Sequence, residues 1–247
     1  MLITSSKLRH DTRHFFYQQI RIIFFISAFV ACVNVLIDIF VKPDIHIISI
    51  IKNNQFTRVS SFLELINNMT FEDKNKLLKY FIFKSIESLM SKTVLLGANI
   101  TLISVLSQNK KESIISSIGS LFSYLPSLFI LNFLTTFVIQ IGYMCLIIPG
   151  ILLSIILSLS PIIFSFKQHG LINSIRLSVY ISWKYIRIIE PVVLFWISSK
   201  FLLTILVTNM HFINNNILFL ISNIIMNMLF SILIIYLYRF YMIFLRF

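Results

Sequence analysis

The sequence predicts an all-α fold, that of a polytopic helical membrane protein with six transmembrane helices, and three observations predict it. Residues 113–166 carry no charged side chain. As a helix, at about 1.5 Å per residue, that run would extend roughly 80 Å. A bilayer core is about 30 Å thick, so the run crosses it twice. The chain is also 57% hydrophobic and 12% charged, with a mean hydropathy of +0.90, which leaves too little charge to cover a soluble domain of this size. Its apolar runs are continuous instead of alternating over ~10 residues, which selects helices over a closed barrel. Those are the two structures that satisfy every backbone N–H and C=O in hydrocarbon.

Taken in order, the first span covers about 22–41 and is preceded by Lys7, Arg9, Arg13 and Arg21. A segment of mixed charge, 42–79, follows. Within it Ser61-x-x-Glu64 reads as a capping box and Thr70-x-x-Asp73 as a near-variant, predicting short helices over 62–68 and 71–80, the second running into span two. Span two covers 86–106. Lys84, Glu87 and Ser91 share one of its helical faces at the water interface, and its buried part begins near Thr93. Lys110, Lys111 and Glu112 close a short loop before the charge-free run, which divides at Gly142 or at Pro149-Gly150. The missing N–H of proline costs nothing in a first helical turn. Pro126 therefore opens span three (125–147), Pro149 span four (149–166) and Pro191 span five (191–208), while span six covers 217–238 and ends at Arg239.

Lys and Arg in short loops set orientation. They gather before span one, after span two, in 167–188 and after span six, whereas the loops around Ile148 and after Asn209 have none. Both ends are therefore expected in the cytoplasm (N-in, C-in), with 42–79 periplasmic and the whole chain one six-span domain of a bacterial inner membrane. The formal charge of +12, from 21 Lys+Arg against 9 Asp+Glu, lies in these loops, where it fixes orientation and meets anionic lipid. No basic patch on a water-exposed fold is left for nucleic acid.

Cys32 and Cys145 both fall in apolar runs and build neither a disulfide framework nor a metal site. Phe29-Val30-Ala31-Cys32 faintly resembles a lipoprotein cleavage box, but apolar sequence continues through Val41, as a spanning helix requires. Ile, Phe, Asn and Lys are abundant while Gly (5) and Pro (5) are scarce, a bias that follows A/T-rich codons and scatters Asn and Lys into spans without function.

Two sets of residues stand out. Asn173, Arg176, Tyr180, Lys184 and Arg187 recur as one helical stripe beside an apolar stripe of Leu171, Ile175, Val179, Trp183 and Ile186. That pattern predicts an amphipathic helix over 170–188 in the cytoplasmic interface, serving as an orientation anchor or, alternatively, as a dock for lipid phosphate through Arg176, Tyr180, Lys184 and Arg187. The second set is Lys200, deep in span five, with Asp38 near the far end of span one as its candidate partner and Asn34 one turn below it. Intramembrane ionisable groups pair structurally or line a path. Asn132 and Gln140 on span three, and Asn223 and Asn227 on span six, are placed to hydrogen-bond between helices. His10 and His14 have the i, i+4 spacing of metal ligands, but Arg9 and Arg13 flank them and repel a cation. No catalytic motif occurs, and no cofactor or metal is expected.

Several blocks resemble a known family. Leu128-Phe129-Ile130-Leu131-Asn132-Phe133-Leu134-Thr135-Thr136, Val138-Ile139-Gln140-Ile141-Gly142 and Pro149-Gly150-Ile151 are similar to the YciC family of enterobacterial inner-membrane proteins. So are Asn68-Met69-Thr70, Ser174-Ile175-Arg176 with Trp183, Ile235-Tyr236-Leu237 through Arg239 and Tyr241-Met242, and the N-terminal Arg9-x-Asp11-Thr12 with Phe15-Phe16. The resemblance runs along nearly the whole chain. It implies a multi-pass inner-membrane protein without an assigned reaction and carries over no functional residue; the Ile, Asn and Lys bias suits an insect-endosymbiont relative. The function expected is non-enzymatic, in envelope or lipid homeostasis, with the lipid bilayer as partner. The alternative is a small transporter or channel using Lys200 and Asp38.

Overall fold

The computed structural model describes residues 5–40, 70–107, 114–209 and 215–245, and among these every regular element is helical. The elements are α1 (Ser5–Gln18), α2 (Ile20–Phe40), α3 (Phe71–Ser107), α4 (Ile114–Cys145), α5 (Ile147–Leu157), α6 (Ser160–Ser165), α7 (Leu171–Lys184), α8 (Ile186–Asn209) and α9 (Asn215–Leu245). Six stretches are long and apolar enough to span a membrane: Ile20–Asp38, Lys74–Leu106, Tyr124–Cys145, Ile147–Ser165, Ile186–Asn209 and Ile217–Leu245. The helix expected over 62–68 and most of the 42–79 segment lie outside the described residues.

The expectations for proline are corrected in two places of three. Pro126 and Pro191 sit inside α4 and α8 and do not open them. A membrane helix tolerates proline where neighbouring groups take up the freed carbonyl, so the apolar residues before each proline stay helical. Pro149 remains in the first turn of α5, where no intrahelical acceptor is owed a donor. The turn between spans three and four is at Leu146, whose backbone is extended (φ −161°, ψ 155°). Gly142 and Gly150 flank it and face each other, a Cβ on Gly142 coming within 3.1 Å of the Gly150 Cα. The expected helix over 71–80 is the start of α3, whose 37 residues run on without a break. At about 1.5 Å per residue α3 is about 55 Å long, so it extends well beyond a ~30 Å hydrocarbon core.

α9 sits at the centre. It packs on α1, α2, α3, α6 and α8. Ile234, Ile235, Tyr236, Leu237, Tyr238, Phe240 and Tyr241 are all buried, so its second half is covered on every side. The Tyr236 hydroxyl donates to the Ile188 carbonyl at 3.0 Å, and Phe166 stacks on Tyr238 with ring centroids 5.1 Å apart. α1 lies against the same half through Leu8, Thr12 and Phe15, spaced for one helical face, and the Arg239 guanidinium lies 4.9 Å from the Phe15 ring centroid.

The fourth span is broken. α5 ends at Leu157, and α6 restarts at Ser160 with Pro161 in its first turn. Pro161 lacks an N–H, and the interruption frees carbonyls in α5. The Ile156 carbonyl accepts a hydrogen bond from the Ser178 hydroxyl of α7 at 2.7 Å. Ser178→Ala should therefore cost about 1 kcal/mol, in the range measured for interhelical bonds in membranes, read as a fall in melting temperature of the detergent-solubilised protein. An unchanged melting curve would mean that water or another donor serves the Ile156 carbonyl as well.

α7 turns a face of small side chains inward. Ser174, Ser178 and Ser182 are fully buried with Ile181, while Val179, Trp183 and Ile172 are exposed. The small residues let α7 approach α5 and α6 closely, and the bulky apolar side chains face outward.

Candidate functional site

The threading of six spans places the C-terminal ends of α2, α4 and α8 on one side with the N-terminal ends of α3, α5 and α9. Near that side the polar residues of α2 and α3 meet. The Lys84 ammonium forms ion pairs with Asp38 and, at 2.9 Å, with Glu87, and the Ser91 hydroxyl donates to the Asn34 side chain. Both stripes, Asn34 with Asp38 and Lys84 with Glu87 and Ser91, are one turn apart on their own helices and so align as a ladder. The partner of Asp38 is therefore Lys84. The pairing of Asp38 with Lys200 is corrected: Lys84 stands directly across α2 from Asp38, whereas Lys200 belongs to α8, for which no comparable contact with α2 occurs among the described residues.

Lys200 looks instead into two adjoining cavities. The first, of about 280 Å³, is lined by Asn34, Glu87, Ser91, Asn223 and Asn227 together with Lys92, Trp196, Lys200 and Phe230. The second, of about 640 Å³, shares those last four residues and extends between α8 and the α3–α4 pair. Its walls are mostly apolar, with Leu89, Leu96, Ile139, Ile197 and Leu233 among them, and carry Asn132, Thr136, Gln140 and Ser158 as polar groups. The gap exists because α8 packs on α9 and α5 and makes no comparable contact with α3 or α4 among the described residues. Gln140, Tyr143, Phe201 and Thr204 are exposed along its rim.

Lys92 and Lys200 are the two charges common to both cavities. Lys92 is partly buried and Lys200 exposed, and the two like charges act on each other. The Lys200 ammonium also lies 6.0 Å from the Trp196 ring centroid. Among the described residues neither lysine has a carboxylate partner, since Asp38 and Glu87 are both engaged by Lys84. Lys92 is visible in the sequence as a charge in the first half of span two, but it is not joined to Lys200 there because a lone intramembrane lysine directs the search to acids. The signal for it is positional: Lys92 follows the Lys84–Glu87–Ser91 stripe by one residue, about 100° further round α3, and so borders the cavity beside the ladder instead of joining it.

The other candidates have structural places. Asn132 donates to Thr93 at 3.0 Å, joining α4 to α3, and Asn227 donates to the Ser27 carbonyl at 3.1 Å, joining α9 to α2. Asn223 donates to the Phe219 carbonyl within its own helix. Asn99, not singled out from the sequence, is buried and donates to Ser231 at 3.0 Å. Arg176, Tyr180, Lys184 and Arg187 are all exposed, with the Lys184 ammonium 5.7 Å from the Tyr185 ring centroid. The helix expected over 170–188 is interrupted at Tyr185, so Arg187 belongs to α8. His10 and His14 are exposed on α1, and no cluster of three metal-ligating side chains occurs among the described residues.

A family profile described as "Uncharacterised protein family (UPF0259)" matches residues 1–243. The chain belongs to UPF0259. Among its relatives, a UPF0259 membrane protein of Buchnera aphidicola subsp. Acyrthosiphon pisum (strain APS) is 66% identical over all of both chains. One from Photorhabdus laumondii is 31% identical over 98% of this chain and 96% of its own. One from Serratia proteamaculans is 29% identical over 98% of each. These are the enterobacterial and endosymbiont relatives that the sequence resemblance implies, and each is named a membrane protein. No solved structure matches. This UPF0259 chain is thus a helical membrane protein with six candidate spans among the described residues, and the family name assigns no activity.

Proposed function

We propose that this UPF0259 chain is a non-enzymatic protein of the bacterial inner membrane that acts on lipid in envelope homeostasis, with both termini cytoplasmic. The observation that carries the reading is the cavity between α8 and the α3–α4 pair. It is mostly apolar, its rim is exposed at membrane depth, and its charges are two lysines without an acid, so it suits an amphiphile better than a water-soluble substrate. The hydroxyls of Ser154 and Ser158 in its wall donate to carbonyls of their own helix, Gly150 and Ile155, and pair with neither lysine among the described residues. The exposed Arg176, Tyr180, Lys184 and Arg187 support an interfacial role for α7 and the start of α8, where basic side chains meet anionic headgroups.

The test is a deletion strain of a culturable relative complemented with this chain. Its phospholipid composition should shift on deletion and return on complementation, with reporter fusions after Phe247 and within 110–112 active in the cytoplasm. An unaltered lipidome would sink the lipid reading, and a periplasmic C-terminus would sink the orientation.

A second reading, a small transporter, is favoured by the broken fourth span. Interrupted helices line substrate paths in transporters, and Ser154, Ser158 and Pro161 around the break border the larger cavity. Here Lys200 would work with Lys92, because Asp38 is held by Lys84.

A further inference from the structure

The larger cavity has the volume of a small-molecule site, within the usual range of about 300–1,000 Å³, and two ammonium groups at its junction with the smaller one. Two like charges facing one space repel each other. In a membrane interior, each also forfeits hydration. Such an arrangement is unfavourable unless an anion enters between them. The nearby acids, Asp38 and Glu87, are paired with Lys84, so among the described residues the two lysines keep a charge that an entering anion would neutralise.

The surroundings define the rest of that ligand. On the side of the smaller cavity Asn34, Ser91, Asn223 and Asn227 offer hydrogen bonds to a polar head, beside the mutually paired Lys84 and Glu87. On the side of the larger one Leu96, Ile139, Ile197 and Leu233 offer an apolar wall. Lys200 is nine positions before the end of α8 at Asn209, which sets it roughly 13 Å below that end at about 1.5 Å per residue. A free phosphate or carboxylate ion would have to leave water to reach this depth. The same anion on an acyl chain arrives along the membrane, through the gap beside Phe201 and Thr204.

We propose that Lys92 and Lys200 bind the anionic head of a membrane amphiphile whose hydrocarbon tail occupies the cavity between α8 and α4. This rests on the lipid reading above and names its ligand class. Arg176, Lys184 and Arg187 meet headgroups outside the bundle, whereas this pair takes one headgroup inside it.

The test uses the full chain, purified in a neutral detergent. Its probes are phosphatidylglycerol, phosphatidylcholine, palmitate and inorganic phosphate, and binding is followed by native mass spectrometry and by the melting temperature. Phosphatidylglycerol, palmitate or both should bind and raise the melting temperature; phosphatidylcholine and inorganic phosphate should not. Which of the two binds tells a phosphate head from a carboxylate. Lys92→Gln and Lys200→Gln should each weaken binding by about tenfold or more, the loss of one charge-assisted bond, while exchange of the exposed Lys79 on α3, Lys79→Gln, leaves it unchanged. Lys200 is exposed, so Lys200→Gln folds even if Lys92→Gln does not, and Lys200→Arg should keep most of the affinity. Without lipid, Lys200→Gln should melt no lower than wild type, because it removes a repulsion.

Equal binding of phosphatidylcholine, binding of inorganic phosphate alone, or affinity unchanged in Lys200→Gln would overturn the proposal. If the lipidome of the deletion strain responds while the purified protein shows no lysine-dependent binding, this site is wrong and the broader lipid reading stands. If neither responds, both fall.

Discussion

Lys84→Met is expected to lower stability by about 3 kcal/mol, the low end of the range for breaking a buried ion pair. The side chains of Lys84 and Asp38 keep 27% and 24% of their exposure, so water relieves part of the cost. Glu87 keeps 7% and has no such relief. Removing the lysine leaves two carboxylates side by side between α2 and α3, each having lost its counter-ion. The triple variant Lys84→Met, Asp38→Asn, Glu87→Gln should recover most of the loss, since it removes the stranded charges along with their partner. Asp38→Asn alone should be mild, because Lys84 retains Glu87. Thermal melting of the purified variants decides the matter. A triple variant no better than Lys84→Met would mean that lysine packing, and not charge, holds the two helices.

The second large effect is expected at Gly150. A Cβ there would sit 2.4 Å from Cδ1 and 2.5 Å from Cγ of Tyr143, distances at which the ring must swing away. Its hydroxyl lies 3.4 Å from Ser154 across the same hairpin, so that contact would be lost as well. Gly150→Ala should cost about 1–3 kcal/mol, the usual penalty of overpacking. Tyr143→Ala in the same chain should return most of it, because the obstacle is one ring. Gly142→Ala should be milder. Its Cβ would meet the Leu153 Cδ1 at 2.6 Å, the far end of a flexible side chain, and the Gly150 backbone at 3.1 Å, where a few tenths of an ångström suffice. If Tyr143→Ala gives no rescue, the two helix backbones, not the ring, set the limit at Gly150.

The spans are legible in this sequence because they follow from one property, the absence of charge over long runs. The interior of the bundle is less so. Asn34 with Asp38, and Lys84 with Glu87 and Ser91, can be read as stripes on their own helices, yet nothing in one chain's pattern says which stripe meets which. Lys200 was expected to face an acid, and the structure sets it beside Lys92. Pro126 and Pro191 mislead because the rule that proline begins helices comes from water, where a lost backbone bond in mid-helix is costly. On α7 the sequence shows the two stripes but not which face packs against the bundle. In water the leucine side of a helix turns inward, but lipid is as apolar as leucine, so in a membrane close packing decides. Ser174, Ser178 and Ser182 therefore form the seam, and Trp183 stays outside.

The central position of α9 has a consequence for how the molecule is made. A ribosome delivers the chain from its N-terminus, and domains generally fold in that order. Here α9 emerges last among the described helices, yet α1, α2, α3, α6 and α8 all rest on it. Until it arrives, Asn99 of α3 lacks Ser231, and the Ser27 carbonyl of α2 lacks the Asn227 side chain. The earlier helices thus wait around a vacant axis with these bonds between helices still unmade, and the bundle closes in a late step when its keystone is inserted.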